Sequence, residues 1–158
     1  MKTDFEQRLQ RLEDKVFEND ENDFVLIDIP GAKFKMSKRQ VQDGNGERLV
    51  NVSYENAMKH LASSGHRLMT FDELRAMRNY AIQKIGTTWR NREAVEELFG
   101  ISDMNKDEWI YECNEVAGLR WYSGTLAGPF CAYLLYVPSA VFDDVGFRCC
   151  AAPDEVEE

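Results

Sequence analysis

The side chains in this sequence best suited to covalent or metal chemistry are four cysteines, Cys113, Cys131, Cys149 and Cys150. No two of them stand three positions apart, so the CxxC pair of redox motifs and zinc ribbons is missing. Cys149 and Cys150 are adjacent. Side chains of adjacent strand residues point to opposite faces, which makes this pair a poor disulfide. We therefore expect buried, reduced thiols.

Histidines and carboxylates form no convincing ligand set in the sequence. His60 and His66 belong to no cluster of His, Asp and Glu at metal-ligand spacing. Residues 103–107 resemble the first half of a calcium loop, but Glu108 stands where that loop requires Gly and Asn114 where it requires Glu, so we interpret them as a polar loop. Motifs of serine hydrolases, P-loop proteins and zinc proteases are also missing. The sequence thus predicts no catalytic residue, metal site or cofactor.

Length, composition and charge favour one domain that binds neither nucleic acid nor a membrane. A chain of 158 residues with 44% hydrophobic and 30% charged residues is typical of a single globular domain. Its net charge of −9 disfavours phosphate-rich surfaces, which require clustered Lys and Arg. No run approaches about 18 apolar residues, and the first residues lack the apolar core of a signal peptide. We therefore expect a cytoplasmic or virion-associated protein without membrane insertion.

Helix and turn signals organise the N-terminal half of the chain. Residues 3–18 predict a helix whose apolar side chains follow the four-three-four spacing of a coiled-coil seam, namely Phe5, Leu9, Leu12 and Val16. Residues 24–29 and 33–36 predict two strands joined by a Pro-Gly turn. A second turn, at the tip of a hairpin, is predicted for residues 43–46.

Three further helices are predicted from capping residues. Residues 53–62 begin with a serine suited to cap a helix. Thr70 and Glu73 form a capping box, and Gly86 ends the helix that follows. Residues 92–99 fit a short helix that is closed by a glycine.

From residue 109 onwards helical periodicity disappears, and short apolar runs interrupted by Gly and Pro predict strands and irregular loops. The runs are 109–111, 118–122, 131–137 and 145–150. The predicted fold class is therefore α+β. We divide the chain into an N-terminal helix within 1–20, which is docked or oligomerising, a domain at 24–152 and an acidic tail at 153–158.

Three segments, in order, resemble the formylglycine-generating-enzyme family, also called sulfatase-modifying factors. Residues 26–36, LIDIPGAKFKM, are similar to the opening hairpin motif of that family. Residues 52–74, from VSYENA through GHRLMTFDEL, resemble its two-helix signature. Residues 118–123, GLRWYS, with Pro138 and with residues 146–149, GFRC, are similar to its closing motif.

The resemblance covers about residues 24–150 and implies a C-type-lectin-like fold, in which two main helices flank small, mostly antiparallel sheets with long irregular loops. In such a scaffold, Arg67 and Arg148 are candidates for bidentate ties between loops and acidic groups. The family's oxidases hold copper(I) with two cysteines five positions apart, and the second position falls on Cys131. The first falls on Leu126, which cannot bind a metal. The resemblance therefore implies the scaffold without that copper centre.

The stretch from Tyr122 to Asp144 differs in composition from the rest of the chain. It is rich in aromatic and aliphatic residues but contains no Lys, Gln, Glu, Met or Trp, whereas Glu occurs sixteen times in the whole chain. Burial is one explanation, because core strands exclude charge. A binding surface is the other, because loops interrupted by Gly and Pro seldom bury so many aromatic side chains and exposed apolar patches mark interfaces.

The missing residue types are those that no codon ending in a pyrimidine encodes. In this respect the chain resembles the variable proteins of diversity-generating retroelements, which carry randomised codons of this kind on the same lectin-like fold. The resemblance implies a non-enzymatic ligand-binding or display protein, associated with a phage or virus, that binds a protein or cell-surface ligand. Its invariant frame would include Trp121, Gly146, Phe147 and Arg148. The candidate contact positions are Tyr122, Thr125, Phe130, Ala132, Tyr133, Leu135, Tyr136, Ser139, Ala140, Phe142, Asp143 and Asp144.

Two alternatives to a diversified binding protein stay open on the sequence. One is an oxidase-like relative that has kept a single thiol of the copper pair, at Cys131. This alternative requires metal binding that the Cys131→Ser variant loses. The other is a structural subunit that forms a homo-oligomer through residues 3–18.

The structural-subunit alternative predicts that deleting residues 1–20 changes the oligomeric state, because the apolar seam of residues 3–18 would be the joint between copies. Analytical ultracentrifugation of the full-length and shortened chains measures this change. An unchanged oligomeric state after the deletion would instead indicate a helix docked on its own domain.

Overall fold

The computed structural model describes residues 24–123 and 128–153 of the chain and confirms the α+β class. The predicted helix at residues 3–18 and the end of the acidic tail, residues 154–158, lie outside these ranges. No described helix is long and apolar enough to cross a membrane. The described elements, in order, are β1 (Phe24–Ile29), β2 (Ala32–Ser37), α1 (Tyr54–Ala62), α2 (Phe71–Ile85), a 3₁₀ helix (Gly86–Arg90), α3 (Arg92–Phe99), β3 (Glu108–Tyr111), β4 (Ala117–Ser123), β5 (Gly128–Tyr136), β6 (Gly146–Phe147) and β7 (Cys150–Ala151).

The first sheet joins the beginning of the described chain to its end. β1 and β2 form the predicted antiparallel hairpin, with Val25 opposite Met36. The hairpin turns at Gly31, whose φ of +93° is readily adopted by glycine alone. β7 then pairs antiparallel with β2, so that Cys150 also lies opposite Met36.

The second sheet has the strand order β5-β4-β3-β6, and all its pairs are antiparallel except β3 with β6. Adjacent residues of β3 belong to two different hydrophobic clusters. Ile110 packs in the first cluster, which includes Leu74 and Met77 of α2. Trp109 packs in the second, which includes Tyr54 of α1. Because adjacent strand residues face opposite ways, the sheet separates the two clusters.

Helices α1 and α2 begin at the predicted capping residues. Ser53 Oγ accepts a hydrogen bond from the N–H of Asn56 at the start of α1 (3.1 Å). At the start of α2, Thr70 Oγ1 accepts from the N–H of Glu73 (3.0 Å), and the Glu73 carboxylate accepts from the N–H of Thr70 (2.9 Å). Arg67 donates two hydrogen bonds to the same carboxylate, of 2.9 and 2.7 Å. This is the bidentate tie expected at Arg67.

The substitution Thr70→Ala should lower the free energy of unfolding by about 1 kcal/mol, because it removes the acceptor for the first turn of α2. Thr87 is exposed and lies in the 3₁₀ helix, so Thr87→Ala is the matched control. We expect the control to change stability by less than about 0.5 kcal/mol. Urea unfolding measures both differences, and equal losses would mean that the capping box does not stabilise α2.

Candidate ligand-binding face

Strand β5 begins beside the 3₁₀ helix and is buried there. A side chain at Gly128, whose φ is +58°, would place its Cβ 2.2 Å from the carbonyl oxygen of Arg90. Phe130 is only 6% exposed, and its ring stacks on Trp89 with the centroids 6.4 Å apart. Phe130 belongs to the first hydrophobic cluster. The prediction of a ligand contact at Phe130 is therefore wrong, because its side chain faces the core.

A bulge divides the second half of β5. Tyr133 lies opposite Leu119 and Tyr136 lies opposite Ala117, so β5 has one more residue than β4 between these pairs. Tyr133 and Tyr136 consequently come together on one face, with their ring centroids 4.8 Å apart. Leu135 lies in the bulged segment and is 73% exposed.

Four of the predicted contact positions are half-buried against the hydrophobic clusters. Ala132 is half-buried against the first cluster, whereas Tyr136, Ala140 and Phe142 are half-buried against the second. The ring centroids of Tyr136 and Phe142 are 5.2 Å apart, and those of Phe142 and the buried Trp109 are 5.9 Å apart. These contacts connect the surface with the core, so the four half-buried side chains have a packing role in addition to any contact with a ligand.

The loop at residues 137–145 is held near both ends through its main chain. The carbonyl oxygen of Pro138 accepts a hydrogen bond from the N–H of Glu55, in the first turn of α1 (3.1 Å). The carbonyl oxygen of Asp144 accepts from Arg48 Nη2 (2.9 Å). The exposed loop residues include the predicted contact positions Ser139, Asp143 and Asp144.

The exposed large apolar side chains concentrate on β4, β5 and this loop. Of the seven in the described part of the chain, only Leu26 and Ile82 lie elsewhere. The other five, which we call the contact face, are Tyr122, Tyr133, Leu135, Val137 and Val141. Because Tyr133 pairs with Leu119, and Tyr122 lies an odd number of positions from Leu119 on β4, Tyr122 and Tyr133 project from opposite sides of the sheet, so the contact face includes residues on both sides. The predicted contact positions did not include Val137 and Val141, although both lie in the same apolar stretch. Thr125 lies outside the described residues.

Three buried charged side chains, one carboxylate and two guanidinium groups, stabilise the scaffold that carries the contact face. Glu108 Oε1 accepts hydrogen bonds from Arg120 Nη2 (3.0 Å), from Arg148 Nη2 (3.3 Å) and from a glutamine side chain. Burial alone raises the pKa of Glu108, but the nearby guanidinium groups of Arg148 and Arg120 outweigh burial and lower this pKa to about 2. The carboxylate therefore stays ionised at neutral pH. We call these three residues the ionic centre.

The arginines of the ionic centre also bind backbone carbonyls of distant segments. Arg120 Nη1 donates to the carbonyl of Pro129 at the start of β5 (2.9 Å). Arg148 Nη1 donates to the carbonyls of Ser37 and Lys38 (3.0 Å each), at the end of β2. The sequence predicted a tie at Arg148 but indicated neither Glu108 as its partner nor the role of Arg120.

The cysteines, all within the described ranges, form no disulfide and differ in exposure. Cys149 and Cys150 are buried as expected, and burial raises the pKa of Cys150. This shift suppresses the reactive thiolate at neutral pH. Cys113 and Cys131 are half-buried. Among the described residues, no group of three or more His, Cys, Asp or Glu side chains is placed to hold a metal ion.

Comparisons of the chain with protein-family models, with curated proteins and with solved structures find no match. Its function is therefore inferred from the contact face, from the frame behind it and from the sequence resemblances.

The substitution Glu108→Gln should lower the free energy of unfolding at pH 7 by about 3–5 kcal/mol, because it leaves two buried guanidinium groups without a counter-charge. The folded-state pKa of Glu108 lies below the ordinary value of 4.5. Its contribution to stability is therefore complete above about pH 4.5 and is lost as the pH falls towards 2. We expect the variant to lose this part of the pH dependence.

Urea unfolding of both proteins between pH 2 and 7 measures these effects. Glu115 is exposed, so Glu115→Gln is the matched control and should change stability by less than about 0.5 kcal/mol. A Glu108→Gln protein that is as stable as the control would show that the ionic centre does not hold the frame.

Proposed function

We propose that this chain is a non-enzymatic ligand-binding protein with a C-type-lectin-like scaffold. Its contact face would be the diversified surface of a diversity-generating-retroelement variable protein, associated with a phage or virus. The concentration of exposed apolar side chains between residues 122 and 144 carries the proposal, because the same stretch lacks Lys, Gln, Glu, Met and Trp. Burial does not account for that composition, since Tyr133, Leu135 and Val137 are 47%, 73% and 62% exposed.

The topology supports a lectin-like scaffold in three respects. The hairpin of β1 and β2 pairs with the last strand, β7, so the beginning and the end of the domain lie together. Two helices, α1 and α2, flank small and mostly antiparallel sheets. Residues 146–149, which resemble the closing motif of the family, are buried, and Arg148 among them belongs to the ionic centre.

The chemistry of the contact face favours a protein or a cell-surface ligand. Tyr122 and Tyr133 provide large contact areas with few rotatable bonds and with a polar hydroxyl group at the tip. Leu135, Val137 and Val141 add apolar area that a ligand can remove from water.

A diversified surface requires positions that can change while the frame stays folded. Tyr133 is 47% exposed, whereas Leu119 opposite to it is 7% exposed and Phe147 is fully buried. Substitution of exposed side chains usually changes stability by less than about 0.5 kcal/mol, whereas truncation of buried ones costs about 2–5 kcal/mol. The division between exposed and buried positions therefore suits a variable face on a constant frame.

Sequencing this locus in many isolates from one population tests the proposal. We expect substitutions to cluster at codons of the stretch 122–144, above all at the exposed positions Tyr133, Leu135 and Val137. Glu108 and Arg120 should stay constant, because their loss would disrupt the frame. A stretch that is as invariant as the frame would overturn diversification.

An invariant stretch would leave two better accounts, a single dedicated partner or metal chemistry at Cys131. Copper(I) titration of the native chain and of the Cys131→Ser variant separates them. Only metal chemistry at this thiol predicts copper uptake that the variant loses.

A further inference from the structure

Helix α2 and the 3₁₀ helix that follows it carry a local excess of positive charge. Residues 74–92 contain five Lys or Arg residues and no Asp or Glu, whereas the whole chain has 19 basic and 28 acidic residues. A cluster of charges of one sign produces a local potential that differs from that of the rest of the molecule. This surface shares no residue with the contact face or with the ionic centre.

Three side chains of α2 form an accessible stripe along the helix. The buried side chains of this helix are Leu74, Met77 and Ala81. One position after each of them comes a residue of the stripe, namely Arg75, Arg78 and Ile82. Spacings of three and four residues place these side chains on one side of the helix. The side chain of Arg75 is 53% exposed, Ile82 is 42% exposed and Arg78 is half-buried. We call these three residues the α2 stripe.

The two arginines of the α2 stripe are available to an anionic ligand. A guanidinium group has five N–H donors. Within the described residues, the guanidinium group of Arg78 donates one hydrogen bond, from Nη2 to the side-chain oxygen of Asn79 (3.2 Å), and its buried Nε has no partner. Arg75 pairs with Asp72 (2.8 Å), but the side chain of Asp72 is 80% exposed, and ion pairs on the surface are weak. A ligand carboxylate can therefore bind at both arginines.

Helix α3, which contains three glutamates, contacts the other side of α2. Phe99 of α3 packs against Tyr80 of α2, with the ring centroids 5.9 Å apart. Tyr80 precedes Ile82 by two positions, which corresponds to about 200° of rotation around the helix. Two of the glutamates of α3 already pair with its own Arg92. The positive charge of the α2 stripe is therefore not offset by α3.

The composition of the α2 stripe favours a protein segment over other anionic partners. Ile82 presents apolar area beside the two charges, so a complementary ligand combines carboxylates with an apolar side chain. A nucleic acid or an anionic membrane extends far beyond two arginines, and the net charge of −9 repels such polyanions. The same net charge opposes the association of two copies of the chain.

We propose that the α2 stripe binds an acidic segment of a partner protein, with carboxylates of that segment on Arg75 and Arg78 and an apolar side chain against Ile82. Charge-assisted hydrogen bonds between guanidinium and carboxylate groups provide specificity, and the local positive potential accelerates association. The stripe lies outside the stretch 122–144. The inference therefore does not depend on the proposed function, and substitutions in that stretch would leave this interaction unchanged.

A selection from displayed random peptides on the immobilised full chain tests the proposal. We expect selected peptides that carry two or more Asp or Glu residues close to an apolar residue. Fluorescence anisotropy of the synthetic peptides then gives their affinities and the dependence of these affinities on salt. A scrambled peptide of the same composition should bind about tenfold more weakly, because charge alone does not reproduce the pattern of the stripe.

Variants of the full chain provide the matched comparison. Arg75→Glu reverses an exposed charge within the α2 stripe, and Lys84→Glu makes the same change in charge at an exposed residue of α2 outside the stripe. We expect Arg75→Glu to weaken binding by about tenfold or more and to reduce its dependence on salt, and Lys84→Glu to have a much smaller effect. Ile82→Ser should weaken binding by about fivefold, whereas Leu26→Ser, at an exposed leucine of β1, should not.

Arg78→Lys tests the role of the guanidinium group at constant charge. Lysine cannot reproduce the two parallel hydrogen bonds that arginine forms with a carboxylate. We expect this variant to bind the peptides more weakly while its urea unfolding stays close to that of the native chain. Native affinity in Arg78→Lys would overturn the direct contact at this position.

Other results would contradict the proposal as a whole. Equal losses in Arg75→Glu and Lys84→Glu would show attraction by diffuse charge and overturn a site at the α2 stripe. Selected peptides that lose binding with Tyr133→Ser but not with Arg75→Glu would bind the contact face and overturn this second surface. Single-stranded DNA that binds more tightly than the peptides, and only when Arg75 is present, would overturn the protein partner.

Two occupants from the chain itself are also distinguished. Concentration-dependent dimers that Arg75→Glu abolishes would assign the α2 stripe to a second copy and overturn an external partner. Removal of the acidic residues 154–158 that tightens peptide binding to the native stripe, but not to the Arg75→Glu stripe, would assign it to the chain's own tail. We expect neither effect.

Discussion

The ion pairs of Glu108 with Arg120 and Arg148 are the constraint on which the rest of the structure depends. Removing three charged groups from water is costly, and the ion pairs together with further hydrogen bonds offset this cost. Among the buried atoms of the centre, Glu108 Oε2 and Arg120 Nε have no hydrogen-bond partner within the described residues. Two guanidinium groups and one carboxylate leave a net charge of +1. Backbone carbonyls from three segments, among them those of Ser37 and Pro129, accept hydrogen bonds from the guanidinium groups and so stabilise this charge. The loops are therefore ordered around the ions, and the start of β5 takes its position from Arg120.

Local signals in the sequence predicted much of this fold, because helix caps and tight turns depend on residues a few positions apart. Thr70 and Glu73 satisfy each other's backbone N–H groups, and Arg67 lies six residues from its carboxylate partner. The ionic centre could not be predicted in this way. Glu108 follows a polar loop and resembles any other glutamate of the chain, and its partners Arg120 and Arg148 lie 12 and 40 residues away. Only the paired strands bring the three together.

The candidate site, too, could be predicted from the sequence only in part. Composition indicated the stretch that carries the contact face, but not which of its side chains are exposed. That assignment depends on the bulge opposite Gly118, where an added Cβ would lie 2.9 Å from Ile110. Beyond the bulge, Tyr136 joins the face of Tyr133, and simple alternation along the strand no longer holds. Phe130 was misassigned because no residue near it in sequence indicates the stacking on Trp89.

The attachment of the loop at residues 137–145 bears on how this surface can evolve. The groups that Glu55 and Arg48 hold are carbonyl oxygens, which every amino acid possesses. Apart from packing side chains such as Phe142, residues in the loop can be exchanged while its course over the molecule is preserved. Substitutions there need not pass through misfolded intermediates, so neutral variation can accumulate in the loop without loss of the fold.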